Sequence, residues 1–253
     1  MGNDWMSTAF AAVEVLASAF ALAVFAGEWK GTRLSGLVKY SAAGVIAAAV
    51  CLGLFLCGLG RPTLVLEVLQ DPSSRLFWKA VPVVVLLVSL VAYVLLQYNG
   101  AAWRTVRIWS ATAGSAGLVG AAALGAVQKL PLRPLLDTNL TALVFLSLAL
   151  AAASVLTSRT EKVSSLAFPA AAAFFFLAAM TGYGLLMVNE SPDTPVAVFL
   201  FAAVAALTIL ALAFGTFLRS KLSGGVSLAL FAAAAAIYQY LLQHFITAEW
   251  HFF

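Results

Sequence analysis

Apolar residues fall along this chain in eight long runs, parted by short stretches where the charged residues collect. The runs are Ser7–Gly27, Tyr40–Gly60, Ala80–Gln97, Ile108–Val127, Asn139–Thr157, Leu166–Val188, Pro195–Leu218 and Val226–Ile246. An α-helix rises about 1.5 Å per residue and a bilayer's hydrocarbon core is about 30 Å thick, so roughly 20 mostly apolar residues make one crossing. None of the runs alternates with period two, as the strands of a barrel would. Helices, which satisfy their own backbone inside lipid, are therefore expected. The predicted fold class is all-α: a polytopic integral membrane bundle of eight transmembrane helices, forming one domain over residues 1–253.

Composition points the same way. With 63% hydrophobic residues, 9% charged residues and a mean hydropathy of +1.02, the chain has too little polar surface to coat a soluble globule. The pI near 9.2 does not imply nucleic acid, because Lys and Arg are spread over the connections at the membrane surface. The first run is longer than a signal peptide's apolar region and lacks its basic flank, so it reads as the first span. Cys51 and Cys57 match no metal or redox spacing and read as small packing residues.

The basic residues give a direction. Lys30, Arg33, Lys39, Arg104, Arg107, Arg159, Lys162, Arg219 and Lys221 fall on one side, against Arg61, Arg75, Lys79, Lys129 and Arg133 on the other. The positive-inside rule then puts both termini outside, with Glu190 and Asp193 on that outer side as well. The longest outer connection, Arg61 to Lys79, contains the turn signal Asp71-Pro72-Ser73-Ser74 after the apolar stretch Leu64 to Leu69. It reads either as a cap lying on the membrane face or as a plain connector dipping into the interface.

Three segments carry a resemblance. The chain opens Met1-Gly2-Asn3-Asp4-Trp5, closes its second run with Gly58-Leu59-Gly60-Arg61-Pro62, and enters its third through Ser73-Ser74-Arg75-Leu76-Phe77-Trp78-Lys79. In these it resembles the membrane anchor subunit of the DMSO reductase family of molybdoenzymes (DmsC type), a relative of the NrfD-like quinone-interacting anchors. That family typically has eight spans with termini outside. Gly58 stands where the family commonly has His, and Lys79 where it commonly has Glu.

The resemblance implies a multi-pass subunit of a bacterial or archaeal cytoplasmic membrane, without catalysis of its own beyond the oxidation of menaquinol or another quinone's reduced form. Electrons would pass to an iron–sulfur subunit on the outer face and on to a molybdopterin catalytic subunit, those cofactors residing only in the partners. It also nominates Arg61, Pro62, Ser73, Ser74 and Arg75 for docking the partner, and Arg61 and Lys79 for the quinol pocket.

Quinol oxidation releases protons with its electrons, so its pocket needs a hydrogen-bond acceptor of tunable proton affinity. Glu14 is the acidic residue deep in a span, on the order of 10 Å inside the outer boundary by helix rise. An ionisable group at that depth costs a few kcal/mol and usually faces the bundle interior. It reads as the catalytic acceptor, or as a protonated Glu bonded to a neighbouring helix.

In the last span Gln239 pairs with Gln243, and Tyr240 with His244, at four-residue spacing. Tyr240 and His244 are quinol-pocket candidates, or members of an interfacial belt. His244 and His251 are the only histidines and both lie at the C-terminus, so no haem is expected between the helices. No metal site is expected either. In the fourth run, Ala113, Gly117, Ala121 and Gly125 recur every four residues and predict a close helix–helix seam. A purely structural anchor and a small secondary transporter are the competing readings. Transporters tend to show broken helices in paired halves, whereas prolines here keep out of helix interiors apart from Pro169 and Pro195, both in the first turn of a span.

Overall fold

The computed structural model describes residues 4–30, 35–59, 67, 70–127, 139–160, 176, 195–217 and 221–248. Outside them lie Arg61, Pro62, nearly all of the run Leu166–Val188, most of the stretch Leu64 to Leu69, His251, and the side chain of His244. The regular structure of the described residues is helical. Seven helices follow one another: α1 (Asp4–Lys30), α2 (Ser35–Gly58), α3 (Arg75–Tyr98), α4 (Trp103–Ala126), α5 (Leu140–Thr160), α6 (Pro195–Phe217) and α7 (Lys221–Ala248). All but α6 carry described stretches long and apolar enough to cross a membrane, and α6 is itself 23 residues long. The protein is a multi-pass helical membrane protein whose outer surface meets lipid.

Most of the helices outrun their apolar stretches, because the hydrogen-bond ladder continues through the polar interface. The largest shifts are at the starts of α2, α3, α4 and α7, at Ser35, Arg75, Trp103 and Lys221 instead of Tyr40, Ala80, Ile108 and Val226. At α3 the cause is a cap. Ser74 accepts the Leu76 N–H at 3.3 Å, while Asp71 Oδ1 accepts the Ser73 N–H at 3.0 Å and the Ser73 hydroxyl at 2.6 Å. Trp78 Nε1 then donates to the Pro72 carbonyl at 3.0 Å.

The early start also corrects the proline reading. Pro82 lies inside α3, where it has no N–H to offer the Trp78 carbonyl.

Exposed aromatic residues mark the two membrane faces. Trp5 and Trp78 stand at one end of the bundle, here the near face; Trp29, Tyr98 and Trp103 stand at the other, the far face. Trp5 and Trp29 end the apolar stretch of α1, and 24 steps of helix put them about 36 Å apart, a bilayer with its interfaces.

The helix α1 runs through the middle: 67% of its apolar stretch is buried, against 28% for α2. Its near end meets α7, where Gln239 Nε2 donates to Ser7 Oγ at 3.3 Å and Thr8 Oγ1 donates to Gln243 Oε1 at 3.2 Å. The start of α1 and the end of α7 therefore share the near face. Ser227 Oγ donates to the Ala211 carbonyl at 2.6 Å, and Gly215 packs on Val155 and Ser227, so α5 ends and α6 ends at the far face while α6 begins at the near one.

The small-residue stripe on α4 is the expected seam. Ala113, Gly117, Ala121 and Gly125 are all buried. A Cβ on Gly125 would run into the Ala142 backbone of α5, and one on Gly117 would sit 3.2 Å from the Ser18 Cα and carbonyl of α1. The cysteines divide: Cys51 is fully buried with its thiol 3.8 Å from the Phe10 carbonyl, whereas Cys57 is exposed and packs no core, contrary to the sequence expectation.

Candidate functional site

Between the near ends of α1, α2 and α3 lies a cavity of about 150 Å³, lined by Met6, Ser7, Phe10, Leu54, Phe55, Gly58, Leu59, Leu76 and Lys79. Its origin is local. Successive turns of α1 present Ser7, Phe10 and Glu14 on one side, and α2, running the other way, presents Gly58, Phe55 and Cys51. Gly58 leaves a gap where any other residue would bring a side chain, since a Cβ there meets nothing within 4 Å. The start of α3 supplies Lys79, and Ser74, by capping that helix, fixes the angle from which the lysine enters.

Gly58 and Lys79, the two positions singled out in the sequence, thus line one cavity. Phe10 and Phe55, with ring centroids 6.2 Å apart, both line the cavity. One turn deeper on α1 comes Glu14, only 2% exposed. Gly120 of α4 makes room for it: a Cβ there would lie 2.8 Å from Glu14 Oε1. Glu14 Oε2 has no hydrogen-bond partner among the described residues, nor does Ser18 Oγ one turn further in. The cavity does not itself reach Glu14, which lies one turn deeper on α1 than Phe10.

The remaining nominees fall elsewhere. Tyr240 is 52% exposed on the outer flank of α7 and does not line the cavity; the flank turned inward bears Tyr238, Gln239, Leu241 and Leu242. Ser73, Ser74 and Arg75 form the exposed or half-exposed turn at the start of α3, beside the cavity mouth, where the two serines have the structural task of starting the helix. His244 is part of α7 near Gln243. Among the described residues no cluster of His, Cys, Asp or Glu could hold a metal ion.

Sequence reasoning missed a second polar cluster at the far face. Glu28 Oε1 accepts the Tyr93 hydroxyl at 2.6 Å and Gln97 Nε2 at 2.7 Å, and that amide also lies 3.1 Å from the Tyr93 oxygen. The four-residue spacing of Tyr93 and Gln97 was a visible signal, but their partner is on another helix.

The Asp71 turn gives a pH signature. The Ser73 hydroxyl, and then the Ser73 amide, hold the Asp71 carboxyl below the ordinary carboxylate range. A depressed folded value means that ionised Asp71 stabilises the turn above about pH 4 and that this contribution is lost as pH falls through the folded value. The indole N–H resonance of Trp78, bonded to Pro72, is expected to shift on that acid limb and to lose its titration in Asp71→Asn. Ser74→Ala is expected to cost about 0.5–2 kcal/mol of local helix stability, read as faster amide exchange over the first turn of α3.

No protein-family model matches the chain, and no curated protein matches it.

Proposed function

We propose that this chain is the membrane anchor of a DMSO reductase-type molybdoenzyme complex, and that the cavity between α1, α2 and α3 receives the ring of menaquinol or another quinol. The observation that carries the reading is the cavity itself: an apolar slot with two polar side chains, Ser7 and Lys79, opening beside the turn that bears the family-like segment. At about 150 Å³ it is smaller than the roughly 300–1,000 Å³ that enclose a whole drug-sized ligand. A ring fits with its isoprenoid tail left in lipid.

Oxidation of a quinol to a quinone releases two electrons and two protons. The electrons leave toward an iron–sulfur subunit docked at the near face and continue to the molybdopterin subunit. Lys79, with no acceptor lone pair while protonated, donates to a quinone oxygen. Glu14, with its unpartnered Oε2, takes one of the two protons, and the other leaves to the water at the near face. Arg61 and Pro62, in the same connection as Ser73, Ser74 and Arg75, complete the docking surface.

The eight-span topology belongs to this proposal. The end of α5 at the far face and the start of α6 at the near one support counting the run Leu166–Val188 as one further span. The Lys and Arg bias then supports a near face on the outside of a bacterial or archaeal cytoplasmic membrane.

Tagged chain purified from native membranes is expected to bring with it an iron–sulfur subunit and a molybdopterin subunit, in a complex that oxidises quinol. Purification alone with transport activity would favour the secondary-transporter reading, which Pro82 beside the Glu14 pocket also favours. A complex that assembles without quinol activity would leave a structural anchor.

A further inference from the structure

The far face carries a cationic corner that the quinol reading does not use. In the first turns of α4, Arg104 is exposed, and the Arg107 guanidinium carbon lies 4.5 Å from the centroid of the Trp103 ring and 5.8 Å from that of Trp29 on α1. Both indoles are about three-fifths exposed, at 61% and 64%. They are the aromatic residues that mark this interface, so the guanidinium between them lies at headgroup depth. Cation–π contact with the two rings restrains the guanidinium, whose planar set of N–H donors suits a phosphate.

No described acidic side chain pairs with either arginine. The nearest acid in sequence to Trp29 is Glu28, and its carboxylate is already engaged by Tyr93 and Gln97 on α3. That cluster ties α1 to α3 and makes Glu28 a partner of α3. The start of α4 adds its own unpaired N–H groups and the positive end of the helix dipole. An aromatic wall, a guanidinium held against it, a second arginine and no acidic partner among the described residues together call for an anion at the level of the lipid headgroups.

We infer that Arg104, Arg107, Trp29 and Trp103 form a binding site for an anionic phospholipid. Its phosphodiester is held by the Arg107 guanidinium, and its acyl chains run down the exposed apolar face of α4, which carries Ile108, Leu118 and Val119. The site is independent of the quinol cavity, which opens at the other membrane face.

The test uses the full chain, in detergent, titrated with phosphatidylglycerol, phosphatidylcholine or inorganic phosphate, with retained lipid counted by native mass spectrometry. Phosphatidylglycerol is expected to bind more than tenfold tighter than phosphatidylcholine, and Arg107→Gln is expected to weaken it about fivefold, the usual worth of one basic residue at an anionic surface. Arg107→Lys keeps the charge but not the planar fork, and is expected to fall between. Equal binding of the two lipids, an undiminished preference in Arg104→Gln/Arg107→Gln, or displacement of the lipid by millimolar phosphate would each overturn the inference. Should the double variant not fold, the lipid comparison on the unmutated chain and the Arg107→Lys value still decide it.

Discussion

Glu14→Gln is expected to leave the protein inserted and assembled with its partners while lowering quinol-dependent reduction of the iron–sulfur subunit by about 10²-fold, the lower end of what a positioned general base contributes. The two side chains have the same shape, so the fit against Gly120 is preserved. What is lost is the ability of a buried carboxylate to take up a proton. A charge that deep in a bundle costs a few kcal/mol, so the neutral amide is expected to be tolerated at least as well as the native group. Feeding electrons to the soluble subunits from an artificial donor should give the same rate in both proteins. Unchanged quinol activity would remove Glu14 from the reaction.

Gly125→Ala is expected to be the most destabilising small substitution in the bundle, by about 1–3 kcal/mol or more, because its methyl group would overlap the Ala142 backbone and α4 and α5 would have to part. No flexible side chain is available there to move aside. Gly53→Ala, at a position where a Cβ meets nothing within 4 Å, is the control and is expected to be neutral or slightly stabilising. Thermal unfolding of the two variants in the same detergent measures the difference.

The helices themselves were legible because lipid imposes a single requirement, an unbroken run of apolar residues, and that requirement is written in composition alone. Their ends were not. Arg75 to Lys79 reads as a charged connection, yet it is the first turn of α3, since Ser74 supplies a cap and basic side chains can reach the interface from a helix. Placing the start five residues late also moved Pro82 to the edge of the helix instead of its interior.

For the site, the burial of Glu14 followed from counting residues back from Gly27, and α1 does place it in the bundle interior. The meeting of Gly58 with Lys79 depends on how α2 and α3 pack, which no local pattern encodes. In α7 the four-residue spacing was equally good for Gln239 with Gln243 and for Tyr240 with His244. Only packing against Ser7 and Thr8 turned the glutamine flank inward and left Tyr240 outside. Glu28 escaped notice for a related reason: an acid at the end of an apolar run looks like an interfacial residue until its partners on α3 are seen.

The cavity between α1, α2 and α3 is the part of the account most open to a direct challenge, and Gly58 is the place to make it. Because a Cβ there meets nothing within 4 Å, a larger side chain can fill the cavity without forcing the helices apart. Quinol oxidation by the membrane-bound complex should be measured for Gly58→Leu against the unmutated protein, with the artificial-donor rate as the control for assembly. Quinol oxidation is expected to fall at least tenfold while the artificial-donor rate is unchanged; an assembled Gly58→Leu complex that still oxidises quinol at the native rate would contradict the proposed site.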